Sequence, residues 1–137
     1  DYLSARMPVT KKVYQPDGIL HGGATLALAE TVGSAAVAVL NRDPRVITRG
    51  IEISANHIRS VKNGYVTGIA KPVHLGKSTQ LFQIKVYDDN QNLISICKLT
   101  TLTEFVWITS LLRQKGHLCC TDLKDEPQPT NDTQPCC

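Results

Sequence analysis

The feature that most constrains this chain is a long apolar run, residues 22–40, which contains a single acidic residue. Ala, Leu and Val fill most of it, and it is long enough for several helical turns. Because a helix that is apolar on nearly every side is normally a buried one, the run predicts a buried central helix. Just before it, Pro16 fixes φ and Asp17-Gly18 favours a sharp bend, so a turn is predicted at the entrance to the helix.

The acidic residue of the run is Glu30, and Ser34 follows it on the same helix face. A buried carboxylate is costly unless it is paired or put to use, so Glu30 is either a salt-bridged or partly exposed residue or a functional one. The entrance, His21-Gly22-Gly23, either forms a tight turn or opens backbone N–H groups to a ligand at the positive end of the helix dipole. An oxyanion site and a carboxylate on one helix indicate acyl transfer or hydrolysis.

The rest of the chain up to residue 104 reads as strands separated by turns. Apolar and polar residues alternate over segments bounded by turn formers, and this pattern predicts strands at 2–9, 46–56, 65–72, 79–87 and 93–103. Within the second strand, Ile51 and Ile53 are predicted to share one face. A turn is predicted at 74–78. One long helix with antiparallel strands predicts an α+β fold in which the sheet wraps around the helix.

Composition bounds the class of protein. The 42% hydrophobic content suits one domain, and the net charge of +3 does not argue for a nucleic-acid partner. Residues 1–104 hold 12 Lys and Arg against 8 Asp and Glu, so an anionic small ligand is plausible. Only Cys97 of the five cysteines lies in this part, which fits a reducing cytoplasm. No four-ligand metal spacing and no membrane-spanning run is visible, so neither a metal nor a membrane is predicted as a partner.

Four motifs in a fixed order carry a family resemblance. They are Gln15-Pro-x-Gly-x-Leu-His-Gly-Gly-Ala followed by Leu-Ala-Glu-Thr-Val-Gly-Ser, then Gly50-Ile-Glu-Ile-Ser-Ala-Asn-His-Ile-Arg-Ser, then Lys71-Pro-Val-His-Leu-Gly, and finally Lys98-Leu-Thr-Thr. Together they resemble the hotdog-fold acyl-CoA thioesterases of the 4-hydroxybenzoyl-CoA type. The resemblance implies a hotdog domain over residues 1–104 that lacks the family's N-terminal strand and helix. Residues 105–137 depart from the family and are expected to form a disordered tail.

The resemblance implies hydrolysis of an acyl-CoA thioester by a set of catalytic residues. Glu30 would act as nucleophile or general base, and Ser34 would hold the attacking water, orient Glu30 or merely pack. The Gly22 N–H would be the oxyanion donor, and Gln15 would hydrogen-bond the thioester oxygen. His21 would polarise the carbonyl or brace the loop. In the family, the acid and serine of one subunit face the other three residues of its partner, so the site requires a dimer.

The resemblance also places CoA, which is part of the substrate and not a cofactor, against a second set of residues. These are Gly50, His57, Ile58, Arg59, Ser60, His74, Leu75, Gly76, Lys77, Ser78 and Thr79. Arginine and lysine side chains in this set suit the phosphate charges of CoA. The alternative for them is a solvated basic rim.

An aromatic acyl group such as 1,4-dihydroxy-2-naphthoyl, an intermediate of menaquinone synthesis, is what the second and third motifs imply. The resemblance further implies a self-associating dimer or tetramer, and the cysteine pattern adds a cytoplasmic location. Three alternatives stay open: a thioesterase of broad medium-chain or aryl specificity, a hotdog dehydratase acting on a hydroxyacyl carrier, and a non-catalytic acyl-CoA-binding protein.

Overall fold

The computed structural model describes residues 2–41, 43 and 45–105, and the predicted tail lies outside these residues apart from Phe105. The elements in chain order are β1 (Leu3–Pro8), a 3₁₀ turn (Lys11–Val13), α1 (Gly22–Leu40), β2 (Val46–His57), β3 (Tyr65–Leu75), β4 (Thr79–Asp88) and β5 (Leu93–Phe105). The predicted helix and all five predicted strands are present, with ends that differ by a few residues.

The five strands form one antiparallel sheet in the order β1-β3-β4-β5-β2, and α1 lies against all five of them. The core is the layer between helix and sheet, where Phe82, Ile84 and Val86 of β4 are fully buried at alternate positions. This confirms the predicted α+β architecture. The strand order leaves β1 and β2 at the two edges of the sheet within the described part of the chain.

The helix is buried on one face and not on all sides. Its buried positions follow the i, i+3, i+4 spacing of a single stripe: Thr25, Leu28, Ala29, Val32, Gly33, Ala36 and Val37. At the middle of this stripe, a Cβ atom on Gly33 would lie 2.5 Å from Leu99 Cδ2, so the missing side chain allows helix and sheet to approach closely. The prediction of burial all round is therefore wrong for the single chain.

The opposite face of α1 is exposed and carries small and polar residues. Ala27, Thr31 and Ala38 are exposed there, with Glu30 beside them, whereas Val39 and Leu40 continue the buried stripe to the end of the helix and are exposed at that end. By length and composition alone, α1 is also a helix that could cross a membrane, a property it shares with the core helices of many soluble folds. Its contacts with all five strands make it the core helix of this domain.

Strand β2 contains a bulge that reverses its alternation. Its pairing with β5 shifts between Gly50 and Glu52, so Ile51 is the extra residue. Ile51 is 57% exposed, whereas Ile53 packs against the core, and the prediction that they share a face is wrong. Gly50 and His57 are seven residues apart and would point to opposite faces of a regular strand. Because of the bulge, both face α1.

Strand β3 runs three residues further than predicted. It continues past Pro72 through His74 to Leu75, with a second register shift between Pro72 and His74. Its pairing with β1 ends at Ala70, so Pro72 lies where one side of β3 has no partner strand and the missing N–H is tolerated. The predicted turn is correspondingly shorter and spans residues 76–78.

Candidate active site

The first component of the site is the N-terminus of α1. His21 is the N-cap residue, and its Nδ1 accepts a hydrogen bond from the Gly23 N–H at 2.8 Å. The imidazole therefore braces the start of the helix, which agrees with one of the two roles considered for His21. The N–H of Gly22 finds no hydrogen-bond partner among the residues that the structure describes. It is a donor at the positive end of the helix dipole, open to an anionic or developing negative group.

His57 lies directly beside this helix start. A Cβ atom built on Gly22 would lie only 2.8 Å from His57 Nε2, so a side chain at position 22 would displace the imidazole. His57 ends β2 on the face that points towards α1, opposite the buried Ser95. The structure thus places a residue of the predicted CoA set in contact with the predicted oxyanion donor.

Gln15 reaches the same region because a tight turn returns the chain to the helix. The Gly18 N–H donates to the Gln15 carbonyl, the Gln15 N–H donates to the Ile19 carbonyl, and Gly18 has a φ of +78°. This is a type I turn closed by a glycine in the left-handed region, and Pro16 suits its second position. The predicted turn is confirmed. The Gln15 side chain donates from Nε2 to Asp17 Oδ2 at 3.0 Å.

A cleft of about 280 Å³ joins these groups. Its lining brings together six residues of the two predicted sets: Gln15, Gly22, His57, Ile58, Arg59 and Ser60. Sequence reasoning missed the remaining lining residues, Ile19, Leu20, Thr25, Val61 and Ile94. Nothing in a single sequence distinguishes them from ordinary core and loop residues, since only the fold turns them towards the cleft.

Arg59 supplies positive charge at the mouth of this cleft. Its side chain is exposed, and its backbone N–H donates to the Ile94 carbonyl at 3.3 Å. The pKa of the nearby Asp88 lies below its ordinary range, chiefly because the Asn92 side chain donates a hydrogen bond to it and in smaller part because of the Arg59 charge. A solvated arginine in this position suits a phosphate ligand.

The carboxylate of Glu30 lies further along the helix. It is exposed and forms no ion pair or hydrogen bond with another residue of the described chain. The carboxylate lies beside β2, where a Cβ atom built on Gly50 would be 3.1 Å from Glu30 Oε1. Gly50 was predicted to contact CoA, and the structure places it against the proposed catalytic acid. Ser34 is half-buried one turn beyond Glu30.

The two halves of the proposed catalytic machinery do not meet within one chain. Eight residues separate Gly22 from Glu30, which is about 12 Å along a helix that rises 1.5 Å per residue. A single thioester carbonyl cannot contact both groups at that distance. The single chain therefore places the predicted oxyanion donor at one point and, at another, a carboxylate that has no partner among the described residues.

The remaining predicted residues lie at the other end of the helix. Residues 74–79 form the β3–β4 hairpin, where the imidazole of His74 folds over Gly76. Leu75, Gly76 and Lys77 line a second cleft, of about 350 Å³, together with Leu40 near the C-terminus of α1. Within one chain, this group is not brought together with His57, Ile58, Arg59 and Ser60. The described residues contain no cluster of three or more His, Cys, Asp or Glu side chains that could hold a metal ion.

Comparison with known proteins identifies the class. The profile of the Thioesterase superfamily matches residues 17–95. A thioesterase of known structure from Haemophilus influenzae is similar over 77% of this chain and 73% of its own, with 38% identity and a TM-score of 0.74. The chain therefore belongs to the thioesterase superfamily, adopts its hotdog fold and is a thioester hydrolase. The resemblance drawn from the four motifs is confirmed.

Two curated relatives are similar at nearly the same level. The 1,4-dihydroxy-2-naphthoyl-CoA hydrolase of Escherichia coli is 44% identical over 101 residues, which is 74% of this chain and 74% of the relative. The proofreading thioesterase EntH of Cronobacter sakazakii is 45% identical over 101 residues, or 74% of this chain and 73% of the relative. The first name specifies the acyl-CoA that is hydrolysed, and the second specifies a thioesterase without naming its acyl group.

Proposed function

We propose that this protein hydrolyses acyl-CoA thioesters to the free acid and CoA. The observation that carries the proposal is the Gly22 N–H at the helix N-terminus, which has no partner in the part of the chain that the structure describes. It lies in a cleft that also contains Gln15 and Arg59. The carbonyl oxygen of the thioester binds at Gly22 and the CoA extends towards Arg59. One such donor stabilises a tetrahedral intermediate by roughly 3–4 kcal/mol.

In this proposal, the attack on the carbonyl carbon depends on Glu30. As a general base, Glu30 removes a proton from a water molecule that attacks the carbonyl carbon; as a nucleophile, it attacks directly and forms an anhydride that water then hydrolyses. The thiolate of CoA is the leaving group in both cases. The carboxylate lies against Gly50 and has no ion-pair partner among residues 2–41, 43 and 45–105, which suits it to either role. Ser34, one turn away, would hold the water or orient Glu30.

The separation of Gly22 from Glu30 supports a composite site made by two copies of the chain. If two α1 helices lie antiparallel across a two-fold axis, Glu30 of one copy comes opposite Gly22 of the other. The exposed face of α1, where the small Ala27 lies beside Glu30, and the edge position of β2, with Ile51 57% exposed, supply a surface for this association. We propose a dimer or a tetramer, in which the 74–79 hairpin of another copy also reaches the CoA.

The acyl group is proposed to be aromatic, with 1,4-dihydroxy-2-naphthoyl-CoA of menaquinone synthesis as the first candidate. The 44% identity to the Escherichia coli enzyme of that name supports it. The 45% identity to a proofreading thioesterase, whose name specifies no acyl group, keeps a thioesterase of broad medium-chain or aryl specificity as the alternative. A cytoplasmic location is proposed because Cys97, the one cysteine of the domain, is a buried free thiol.

The test compares the protein with two carboxylate variants on a panel of aromatic and aliphatic acyl-CoA esters, with acid and CoA quantified by chromatography. Glu30→Gln is expected to lower kcat by about 10²–10⁴-fold, the range of a general base or nucleophile. The matched control Glu52→Gln changes a carboxylate on β2 that pairs with Lys98, and is expected to leave kcat unchanged.

Three outcomes would contradict the proposal. Release of an enoyl thioester instead of acid and CoA would indicate a dehydratase. CoA binding without turnover of any ester would indicate a binding protein. Equal activity of Glu30→Gln and the unmodified protein would remove Glu30 from the mechanism.

A further inference from the structure

We propose that Gln80 is a positioning residue for the β3–β4 turn, which its buried amide holds in the shape that meets the nucleotide of CoA. Gln80 lies at the second position of β4 and is 4% exposed. The inference rests on the proposed function, because that function is what brings the turn to CoA. Gln80 belongs to neither the predicted catalytic set nor the predicted CoA set, and it does not line the first cleft.

The hydrogen bonds of Gln80 fix the direction of its amide. Its Oε1 accepts from Thr101 Oγ1 at 2.8 Å and from Thr103 Oγ1 at 3.0 Å, both on β5. Because two hydroxyl groups occupy the oxygen, the NH₂ group turns the other way. It donates to the Gly76 carbonyl at 3.2 Å, within the turn. Gln80 therefore links the sheet interior to the turn backbone.

The turn that Gln80 supports is tight. The Gly76 N–H donates to the Thr79 carbonyl at 2.9 Å, and the Thr103 N–H donates to the Ser78 carbonyl at 2.7 Å. A Cβ atom on Gly76 would lie 2.7 Å from the Thr79 carbonyl oxygen and 2.8 Å from His74 Nε2, so no side chain fits there. The backbone of this turn is held from several directions, and its exposed Lys77 is presented at the tip.

Core packing does not explain an amide at this position. Gln80 shares the inner face of β4 with Phe82, Ile84 and Val86, all fully buried and apolar. An apolar residue would continue that row at no desolvation cost, whereas a buried amide is tolerated only when its hydrogen bonds are satisfied. All three side-chain hydrogen bonds of Gln80 lead to β5 or to the turn. The amide therefore serves the conformation of the turn.

The experiment compares two thioesters that differ in the part of the substrate the turn would contact. Benzoyl-CoA carries the nucleotide, and S-benzoyl-N-acetylcysteamine lacks it. For Gln80→Leu, we expect KM for benzoyl-CoA to rise about tenfold. This is the loss of affinity that corresponds to the net free energy of one hydrogen bond between neutral groups. We expect kcat, and kcat/KM for the short thioester, to stay within about twofold of the unmodified protein.

Two further variants keep the inference falsifiable. Ile84→Val removes one buried methyl group on the same strand face and controls for lost stability. It is expected to leave the ratio of kcat/KM for benzoyl-CoA to kcat/KM for the short thioester unchanged. Thr101→Val removes one donor to the amide with little change in volume and is expected to shift the ratio in the same direction as Gln80→Leu. It provides the test if Gln80→Leu does not fold.

A binding measurement separates this inference from the proposed function. Calorimetric titration with CoA alone needs no turnover, and Gln80→Leu is expected to bind about tenfold more weakly. If the unmodified protein hydrolyses no ester of the acyl-CoA panel, the proposed function is wrong, and the titration still decides the role of Gln80. An equal loss of kcat/KM for both thioesters in Gln80→Leu would overturn the inference. Equal CoA affinity of the variant and the unmodified protein would also overturn it.

Discussion

Mixing two inactive variants, Glu30→Gln and Gln15→Ala, is expected to restore activity. Glu30 and the Gly22 end of the helix, where Gln15 lines the cleft, are separated by about 12 Å within one chain. If the site is built from both copies of a two-fold dimer, each dimer has two sites, and each site takes Glu30 from one chain and Gln15 from the other. A mixed dimer then contains one doubly defective site and one intact site.

The magnitude follows from random pairing. Equal amounts of the two variants, after exchange of subunits, give mixed dimers as about half of all dimers, and one of two sites in each mixed dimer is intact. Activity of the mixture should therefore reach about one quarter of that of the unmodified protein, far above either variant alone. The assay is release of acid from benzoyl-CoA, with mixed dimers of differently tagged chains verified by mass spectrometry.

A site completed within one chain predicts a different result. Every chain in the mixture would then carry one defect in its own site, and pairing could not repair it. If mixed dimers form and the activity remains the sum of the two separate variants, the composite site and the antiparallel arrangement of the helices are wrong. A chain that is a monomer at assay concentration and fully active would refute the same reasoning.

Two further predictions concern stability. Gly33→Val is expected to lower the free energy of unfolding by about 1–3 kcal/mol, because a Cβ atom there would meet Leu99 Cδ2 at 2.5 Å in the core; chemical denaturation measures it, and unchanged stability would contradict the close helix–sheet contact. The Tyr65 N–H and the Arg6 guanidinium lower the pKa of Asp89 below its ordinary value of 3.8. Since the folded pKa is the lower one, the stabilisation is present above about pH 4 and is lost as pH falls through the folded pKa. Asp89→Asn should therefore flatten the acid limb of a plot of Tm against pH. An unchanged acid limb would contradict the stabilising role of the Asp89 carboxylate.

Much of the fold could be predicted from local patterns. The apolar run at 22–40 is a helix over those same residues, and the alternation at Phe82, Ile84 and Val86 marks a strand buried on one face. The bulge at Ile51 was beyond such reasoning, because alternation is a property of one strand whereas a bulge is a property of its pairing with another. The extension of β3 past Pro72 likewise depends on where β1 stops pairing.

The candidate site could likewise be predicted only in part. The motifs drew attention to Gln15, Gly22 and Glu30, and the structure brings the first two into one cleft. Glu30 is exposed, one of the alternatives left open for it, because only the stripe of the helix that meets the sheet is covered. The alternation of β4 places Gln80 on the same face as Phe82, but the partners of its amide could not be predicted, because they lie on β5 and in the turn.

The sequence by itself determined which segments are helical or extended, the turn before the helix and the presence of one acid on an apolar helix, since these follow from neighbours along the chain. Tertiary structure decided which groups meet: His57 beside Gly22, Gly50 against Glu30 and Gln80 beneath the turn. The physical reason is that contact between distant residues depends on strand register and on helix–sheet packing. A one-residue bulge is enough to turn a side chain from solvent to the helix.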